Sequence, residues 1–366
     1  MHKLLEDRVV RLKDVGKQRG FSGFIIATLP NMRYFTGVSV LAIERFAAVI
    51  VPIDSEPVFI VPELEEEKIK SLSPFKNVLK YDDAKGPVTL VKSVLEELRL
   101  TSGRLGIEGF FPYRFCKMVR NAAPKARLEE ASDIFIEFRI VKIADELELM
   151  RKAGEIIVKG IDAGVTATRV GATELEIGFE IERRIRQLGG DSVPYCIVLR
   201  GENAAFPHGS SSKAEIRQGD ALVMDVSATY EGYFADLTRT VFVGSASARQ
   251  HEIYDTVLQA QEKAIESVKP GIRAGEIDKA ARNVIKEAGY GERFIHRTGH
   301  GLGLEVHEDP SITENCTMIL RPGMTFTVEP GIYVPQELGV RIEDNIVVTE
   351  KGKTTIAACE KSLTIV

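Results

Sequence analysis

Tryptophan is absent from the 366 residues, and the four cysteines, Cys116, Cys196, Cys316 and Cys359, stand far apart. No two form a CxxC pair, so neither a zinc ribbon nor a disulfide scaffold is expected. Isolated free thiols fit a reducing compartment, and the expected location is cytoplasmic. Basic blocks are also missing. The formal net charge is −5, and nothing interleaves aromatic with basic residues, so nucleic acid is not an expected partner. No apolar run reaches transmembrane length, which argues against a membrane partner. The opening MHKLLEDRVVRLKDVG is charged and has no apolar stretch, so no signal peptide is expected.

The length allows one large or two ordinary domains, and the hydrophobic content of 44% is enough for a sizeable core. Residues 3–20 have the spacing of an amphipathic helix. The runs GFIIAT, RFAAVIVPI, PVFIVPE and RLGIEG then read as strands, with helical patterns at 63–71 and 88–98. This predicts a small α/β domain with a mixed sheet. Asn31, Tyr34 and Thr36 in LPNMRYFTG read as loop packing rather than a site. From ASDIFIEFRIVKIADELELMRKAGEIIVKGI the pattern changes: Leu147, Met150, Ala153 and Ile157 mark an apolar helical face. The expected division is 1–132 and 133–366.

The chemistry lies in the second part. Asp225 and Asp236 are eleven apart in VMDVSATYEGYFADLTRT, Glu329 and Glu343 bracket EPGIYVPQELGVRIE, and His300 sits between them in HRTGHGLGLEVHEDP. Residues 221–229 and 232–243 read as strands. A turn centred on Tyr230 and Glu231 would set Asp225 directly opposite Asp236, roughly 5 Å apart at Cβ, where like charges are destabilising. Four carboxylates and one imidazole in a β-rich core call for cations among them. An oxygen-rich set with one imidazole suits Mn, Co, Zn or Fe, and two ions about 3.5–4 Å apart can share a water for hydrolysis.

This part of the chain also repeats itself at a spacing near one hundred. GATELEIGFEIERRIRQLG from Gly171 matches GIRAGEIDKAARNVIKEAG from Gly271, each an amphipathic helix closed by glycine. A strand section is expected after each, carrying His208 in one copy and His307 in the other. Arg217-x-Gly219 precedes Asp225 as Arg321-x-Gly323 precedes Glu329. Two such halves packed face to face would bring their acids to a shared centre. Two other patterns fail. Gly299, Gly301 and Gly303 echo a nucleotide loop but lack the preceding strand and ribose acid. His296 and His300 have zincin spacing, but no Glu follows the first His.

The residues in MDVSATYEGYFADLTRT, GHGLGLEVHEDP, TFTVEPGIYVP and GVRIEDN resemble the metal-dependent peptidases of the creatinase, prolidase and methionine aminopeptidase superfamily. The resemblance implies an α+β chain: a C-terminal pita-bread domain with internal duplication, preceded by a smaller α/β creatinase-like domain. It implies Asp225, Asp236, His300, Glu329 and Glu343 as ligands of two divalent metal ions. The prolidase and aminopeptidase P branch adds His208, His296, His307, Tyr333 and Arg341 as further catalytic positions, each matching in type. Val226-Ser227 departs from that pattern, and the departure is expected to alter packing rather than ligation.

The implied reaction is hydrolysis of Xaa-Pro bonds, mainly in dipeptides, by a metal-bridged hydroxide. Asp225 and Asp236 would grip one ion, and His300, Glu329 and Glu343 the other. Glu329 would carry the proton to the leaving nitrogen. His307 and His208 would donate to the oxyanion or the substrate carboxylate. Arg341 and Tyr333 would orient a ligand. The substrate is a small peptide with proline second. An aminopeptidase P acting on longer peptides and a non-catalytic pita-bread binding module are the alternatives, and a hydrolase of a non-peptide bond is a third. A homodimer is implied by the resemblance.

Overall fold

The computed structural model describes residues 2–41 and 43–366. It has two compact units, one ending at Arg139 and the other spanning Ile140–Val366.

The first unit opens with the helix His2–Gln18, which buries Leu5, Val9 and Leu12. Gly16 is where that helix lies tight on its neighbours: a Cβ there would come within 2.6 Å of the Phe24 ring and 2.7 Å of Ile53. The sheet runs in the order Val78–Tyr81, Val58–Pro62, Ala48–Pro52, Gly23–Ile26, Ser102–Ile107 and Lys125–Glu130. Three of its joins are parallel and two antiparallel, the mixed sheet that the alternating strand and helix patterns predict. The helix Ser132–Arg139 lies past the expected break but belongs to this unit. Its Phe135 packs edge-on against Phe24 and Phe35 at 5.8 and 6.0 Å between ring centroids.

LPNMRYFT is a helix, Leu29–Thr36, not a loop. Pro30 tolerates the first turn, where its missing N–H is not needed, and Gly37 closes the helix in the left-handed conformation. Asn31 bridges Glu108 and Arg139, Tyr34 donates to the Phe138 carbonyl at 2.7 Å, and Thr36 bonds back to Met32. All three residues are structural, as the expectation of packing required.

The second unit contains the repeat. Helices Ala144–Ala167 and Glu174–Gln187 in one half correspond to Ala248–Ser267 and Gly275–Glu287 in the other. The equivalence extends to single hydrogen bonds. Gly171 N–H donates to the Ile216 carbonyl, and Gly271 N–H donates to that of Leu320, each at 2.9 Å. Isolated bridges Thr173–Glu215 and Arg273–Ile319 match in the same way.

The first half carries a sheet of Ser192–Arg200, Ala221–Tyr230 and Tyr233–Phe242. Strand alternation sorts its two faces. Leu222, Met224, Val226, Ala235, Leu237 and Val241 join Ile157, Ile161, Ile177, Ile181 and Ile185 in one core. Asp225, Ser227, Asp236 and Thr238 take the opposite face. The second half carries a five-stranded sheet ordered Glu308–Ile312, Gly299–Gly301, Thr325–Val328, Asp344–Thr349 and Gly352–Thr355.

The hairpin register differs from the expected one. Its turn is Glu231-Gly232, with φ of 45° and 75°, between paired Tyr230 and Tyr233. A two-residue turn with both φ positive matches the twist of its strands, and Gly232 supplies one of those positions without strain. The turn therefore sits one residue later than the predicted centre. Asp225 pairs with Thr238 and Asp236 with Ser227, so the two acids are diagonal neighbours rather than opposed. The shift changes each residue's partner by two, which keeps both acids on the same face.

Candidate active site

One pocket of about 350 Å³ in the second unit is lined by Asp225, Asp236, His300, Glu329 and Glu343. His208, His296, His307 and Arg341 line it too, as do Tyr195, Ile197, Ser227 and Arg297. Of the ten residues that sequence reasoning marked, only Tyr333 is absent from the wall, and it lies directly behind it. Neither His208 nor His307 sits on a strand as expected: His307 immediately precedes the strand Glu308–Ile312. His208 lies in the exposed loop after the 3-10 turn Gly201–Ala205.

His300 stands on the short strand Gly299–Gly301, between two neighbours. Its flanking glycines are required by space. A Cβ at Gly299 would collide with the Thr327 carbonyl, and one at Gly301 with that of Asp309. This accounts for the glycine run that superficially resembled a nucleotide loop. His300 Nδ1 lies 3.1 Å from the Gly301 carbonyl oxygen, so Nδ1 carries the proton and donates. Its Nε2 lone pair is then directed at Glu329 Oε1, 3.3 Å away, and Asp236 Oδ2, 3.9 Å away. Burial, followed by the neighbouring His307, holds the imidazole down to about 3, so it is neutral. Neutral imidazole with its free nitrogen facing carboxylates is the form that ligates metal.

The acids are crowded and short of partners. Asp236, His300 and Glu343 each offer a ligand atom, all within 4.8 Å of one another. Burial, then the charges of Asp225 and Glu329, push Asp236 well above the usual carboxylate range. Glu343 is raised in the same way by burial and by Asp236 and Glu329. Burial lifts Glu329 to about 7, with Arg341 opposing and Asp225 adding to the rise. Glu343 Oε2 accepts from Thr238 Oγ1 at 2.7 Å, but its buried Oε1 has no hydrogen-bond partner. An orphaned carboxylate oxygen costs about 1–3 kcal/mol or more. Arg341 Nη2 donates to Asp225 Oδ2 at 2.5 Å and so holds one of that residue's oxygens. The donor set therefore fits divalent cations: anionic oxygens, one aimed imidazole nitrogen and an unsatisfied oxygen in their midst.

A further tier of residues sets these groups in place. Arg341 also donates to the Tyr333 hydroxyl at 2.8 Å, and that hydroxyl lies 2.8 Å from His296 Nε2. His296 Nδ1 is 2.7 Å from the Arg297 carbonyl, so Nδ1 donates there and Nε2 accepts from Tyr333. Burial and the Arg341 charge keep His296 at about 4, which makes it a neutral acceptor, while burial raises Tyr333 to about 12. His296 is thus placed as a half-buried acceptor behind Tyr333 and Arg341. Asn345 clamps the backbone of Asp236 from both sides. Arg239, itself paired with Asp344, donates to the Glu343 carbonyl at 2.6 Å. His307 is exposed, its ring 4.2 Å from that of His300 at an interplanar angle of 75°.

Sequence reasoning missed Thr238, Thr327, Asn345, Ser227 and Arg297. Thr238 and Ser227 each lie two residues from a marked aspartate on its strand, so period-two alternation was the available signal. Ser227, expected to affect packing alone, is wholly buried with an unpartnered hydroxyl facing the pocket.

Fold and site together define a metal-dependent peptidase. The chain belongs to metallopeptidase family M24, whose profile matches residues 148–350, and the creatinase/prolidase N-terminal domain matches residues 8–141. The duplicated second unit is the pita-bread domain of that family, as expected. A Xaa-Pro dipeptidase from Pyrococcus horikoshii is 36% identical over 98% of this chain and 99% of its own length. The solved prolidase from Thermococcus sibiricus superposes with a TM-score of 0.94 at 34% identity, covering 99% of each chain. The X-Pro aminopeptidase from Thermotoga maritima gives 0.89 at 30% identity, over 98% of this chain and 99% of that one.

Proposed function

We propose that the protein hydrolyses the bond preceding proline in Xaa-Pro dipeptides, using two divalent ions held by Asp225, Asp236, His300, Glu329 and Glu343. The observation that carries this reading is the convergence of four acids on a neutral, Nε2-directed His300, with Glu343 Oε1 left unsatisfied. It is supported by full-length likeness to proteins named Xaa-Pro dipeptidase and prolidase.

When bound, divalent ions supply an acidified water and a Lewis-acid grip on the scissile carbonyl. The chain's own residues do the rest. Glu329, with its carboxyl at the pocket wall and Thr327 donating to it at 3.1 Å, takes a proton and delivers it to the leaving nitrogen. That delivery is essential, because the proline nitrogen has no N–H and leaves poorly until protonated. His307 and His208, exposed at the wall, donate to the oxygen that gains charge. Arg341 fixes the Asp225 carboxylate, and Tyr333 and His296 fix Arg341. The two ions would be Mn, Co, Zn or Fe, the metals that an oxygen-rich set with one imidazole suits.

The test measures metal content and hydrolysis together. Purified protein should hold about two ions per chain and cleave Xaa-Pro with Mn or Co added. A preference for Xaa-Pro-Xaa would reassign it to the aminopeptidase P type. Near-zero metal with no hydrolysis would leave a binding module.

A further inference from the structure

Two charged groups that the reaction does not use lie buried beside the site. The Lys142 and Glu308 side chains keep only 2% and 6% of their surface exposed, and Lys142 Nζ donates to Glu308 Oε2 at 2.9 Å. Such a pair adds little stability of itself, because the cost of taking two ions out of water offsets their attraction. Glu308 Oε1 accepts from the Leu304 N–H at 2.9 Å and from the Glu305 N–H at 3.2 Å. The carboxylate thus reaches back and closes the irregular stretch 302–307 on itself. Gly303 lies against the pair: a Cβ there would come within 2.8 Å of both Glu308 Oε2 and Lys142 Cε. Lys142 is fixed in turn by its backbone. Its N–H donates to the Gly323 carbonyl at 2.8 Å, and Val141 bridges Met324 just before the strand Thr325–Val328. The ion pair therefore ties the stretch that ends in His307 to the segment that leads into Glu329. The loop around His208 has a separate clasp: buried Glu174 accepts from the Arg200 and Ser212 N–H groups, each at 2.8 Å, on either side of that histidine.

We infer that Lys142 and Glu308 are positioning residues that hold His307 at the pocket. His307 is exposed, and its backbone lies outside any strand, one residue before Glu308–Ile312. A group that donates to a charge developing in the reaction must be held to within about 0.5 Å. Without the Glu308 carboxylate, the Leu304 and Glu305 amides lose their acceptor and nothing closes the stretch before His307. Without the Lys142 ammonium, Glu308 becomes a lone buried charge and is drawn towards water, taking the adjoining His307 with it. Both residues act through the loop and not on the substrate. The inference rests on the reading of His307 as a catalytic donor.

The test separates the two. Lys142→Met combined with Glu308→Leu replaces the pair by apolar side chains of similar volume, an exchange that buried ion pairs often tolerate. This paired variant should take up metal as wild type does but hydrolyse leucyl-proline with kcat lowered roughly 10- to 100-fold, the effect of a displaced catalytic group. In a His307→Ala background the same exchange should lower kcat no further, since no imidazole is left to misplace. Equal loss in both backgrounds would overturn the inference, because a general support acts whether or not His307 is present. No loss in either would overturn it as well. If the apolar pair does not fold, Lys142→Met with Glu308→Gln keeps an acceptor for the loop amides and should show a smaller loss with the same dependence on His307. If His307→Ala alone leaves hydrolysis unchanged, or the wild-type protein cleaves nothing, the reading of His307 fails, and its placement is then decided by NMR. Zn-loaded protein with isotope-labelled histidine should give a His307 ring signal, recognised by its loss in His307→Ala. That signal should shift or broaden in the paired variant while that of His208 stays in place. An unchanged His307 signal would refute the positioning role.

Discussion

Glu329 allows the electrostatic account to be tested without activity. In metal-free protein its carboxyl moves from the usual 4.5 to about 7, mainly through burial. A folded-state value above the unfolded one means that the native protein holds the proton more tightly. That contribution is fully present below about pH 4.5 and is lost as pH rises through 7. At pH 8 the native state must carry an ionised Glu329 at a cost of about 3 kcal/mol relative to the unfolded chain. Because the side chain keeps 15% of its surface exposed, this is an upper bound. Glu329→Gln removes the charge and retains the shape. The variant should therefore be more stable than wild type in EDTA, by up to about 3 kcal/mol at pH 8 but only by roughly 1 kcal/mol at pH 5. Urea unfolding followed by far-ultraviolet circular dichroism suits a chain without tryptophan. Loss of the Glu329 charge also relieves Asp236 and Glu343, which that charge raises, so their change has the same sign as the expected gain. Adding Mn should reverse the order, stabilising wild type and leaving the variant nearly unchanged. A variant less stable than wild type at pH 8 in EDTA would refute the picture of an acid held in place without adequate protein partners.

Other substitutions examine separate parts of the centre. Thr238→Val takes the donor from Glu343 Oε2 and should weaken metal affinity about 10-fold or more, measured by competition with a chelator. Tyr333→Phe breaks the link between Arg341 and His296 and should cost about 1–2 kcal/mol in thermal or urea unfolding while the bound metal remains. Asp236→Ala should lose both metal and hydrolysis. Full metal occupancy by elemental analysis would remove that residue from the ligand set. Gly299→Ala should yield little folded protein, because no Cβ fits against Thr327, and expression with normal yield would contradict the strand placement of His300.

The chemistry of this site was legible because its residue types are costly to place together without a purpose. Four acids in strand-rich sequence with one histidine between them point to cations even before any register is known. The repeat was legible too, since Gly171 and Gly271 mark equivalent chain reversals. The hairpin register was not. Tyr230-Glu231 and Glu231-Gly232 both offer a plausible turn, and only the left-handed backbone at Glu231 and Gly232 decides between them. LPNMRYFT read as loop packing, yet it is a helix, since proline is permitted in a first helical turn. Asn345 carries no local signal, because its role depends on long-range approach to the Asp236 backbone. Ser227 was noticed only as an oddity. Its position facing the pocket follows from strand alternation with Asp225.

Asp225 and Asp236 come from the hairpin of the first duplicate, and His300, Glu329 and Glu343 come from the second. Neither duplicate can therefore assemble a working centre alone. A chain severed at the exposed link between Gly244 and Ser247 should regain activity only when both fragments are mixed. Cation uptake in such a reconstitution would report that distant stretches of polypeptide had found each other.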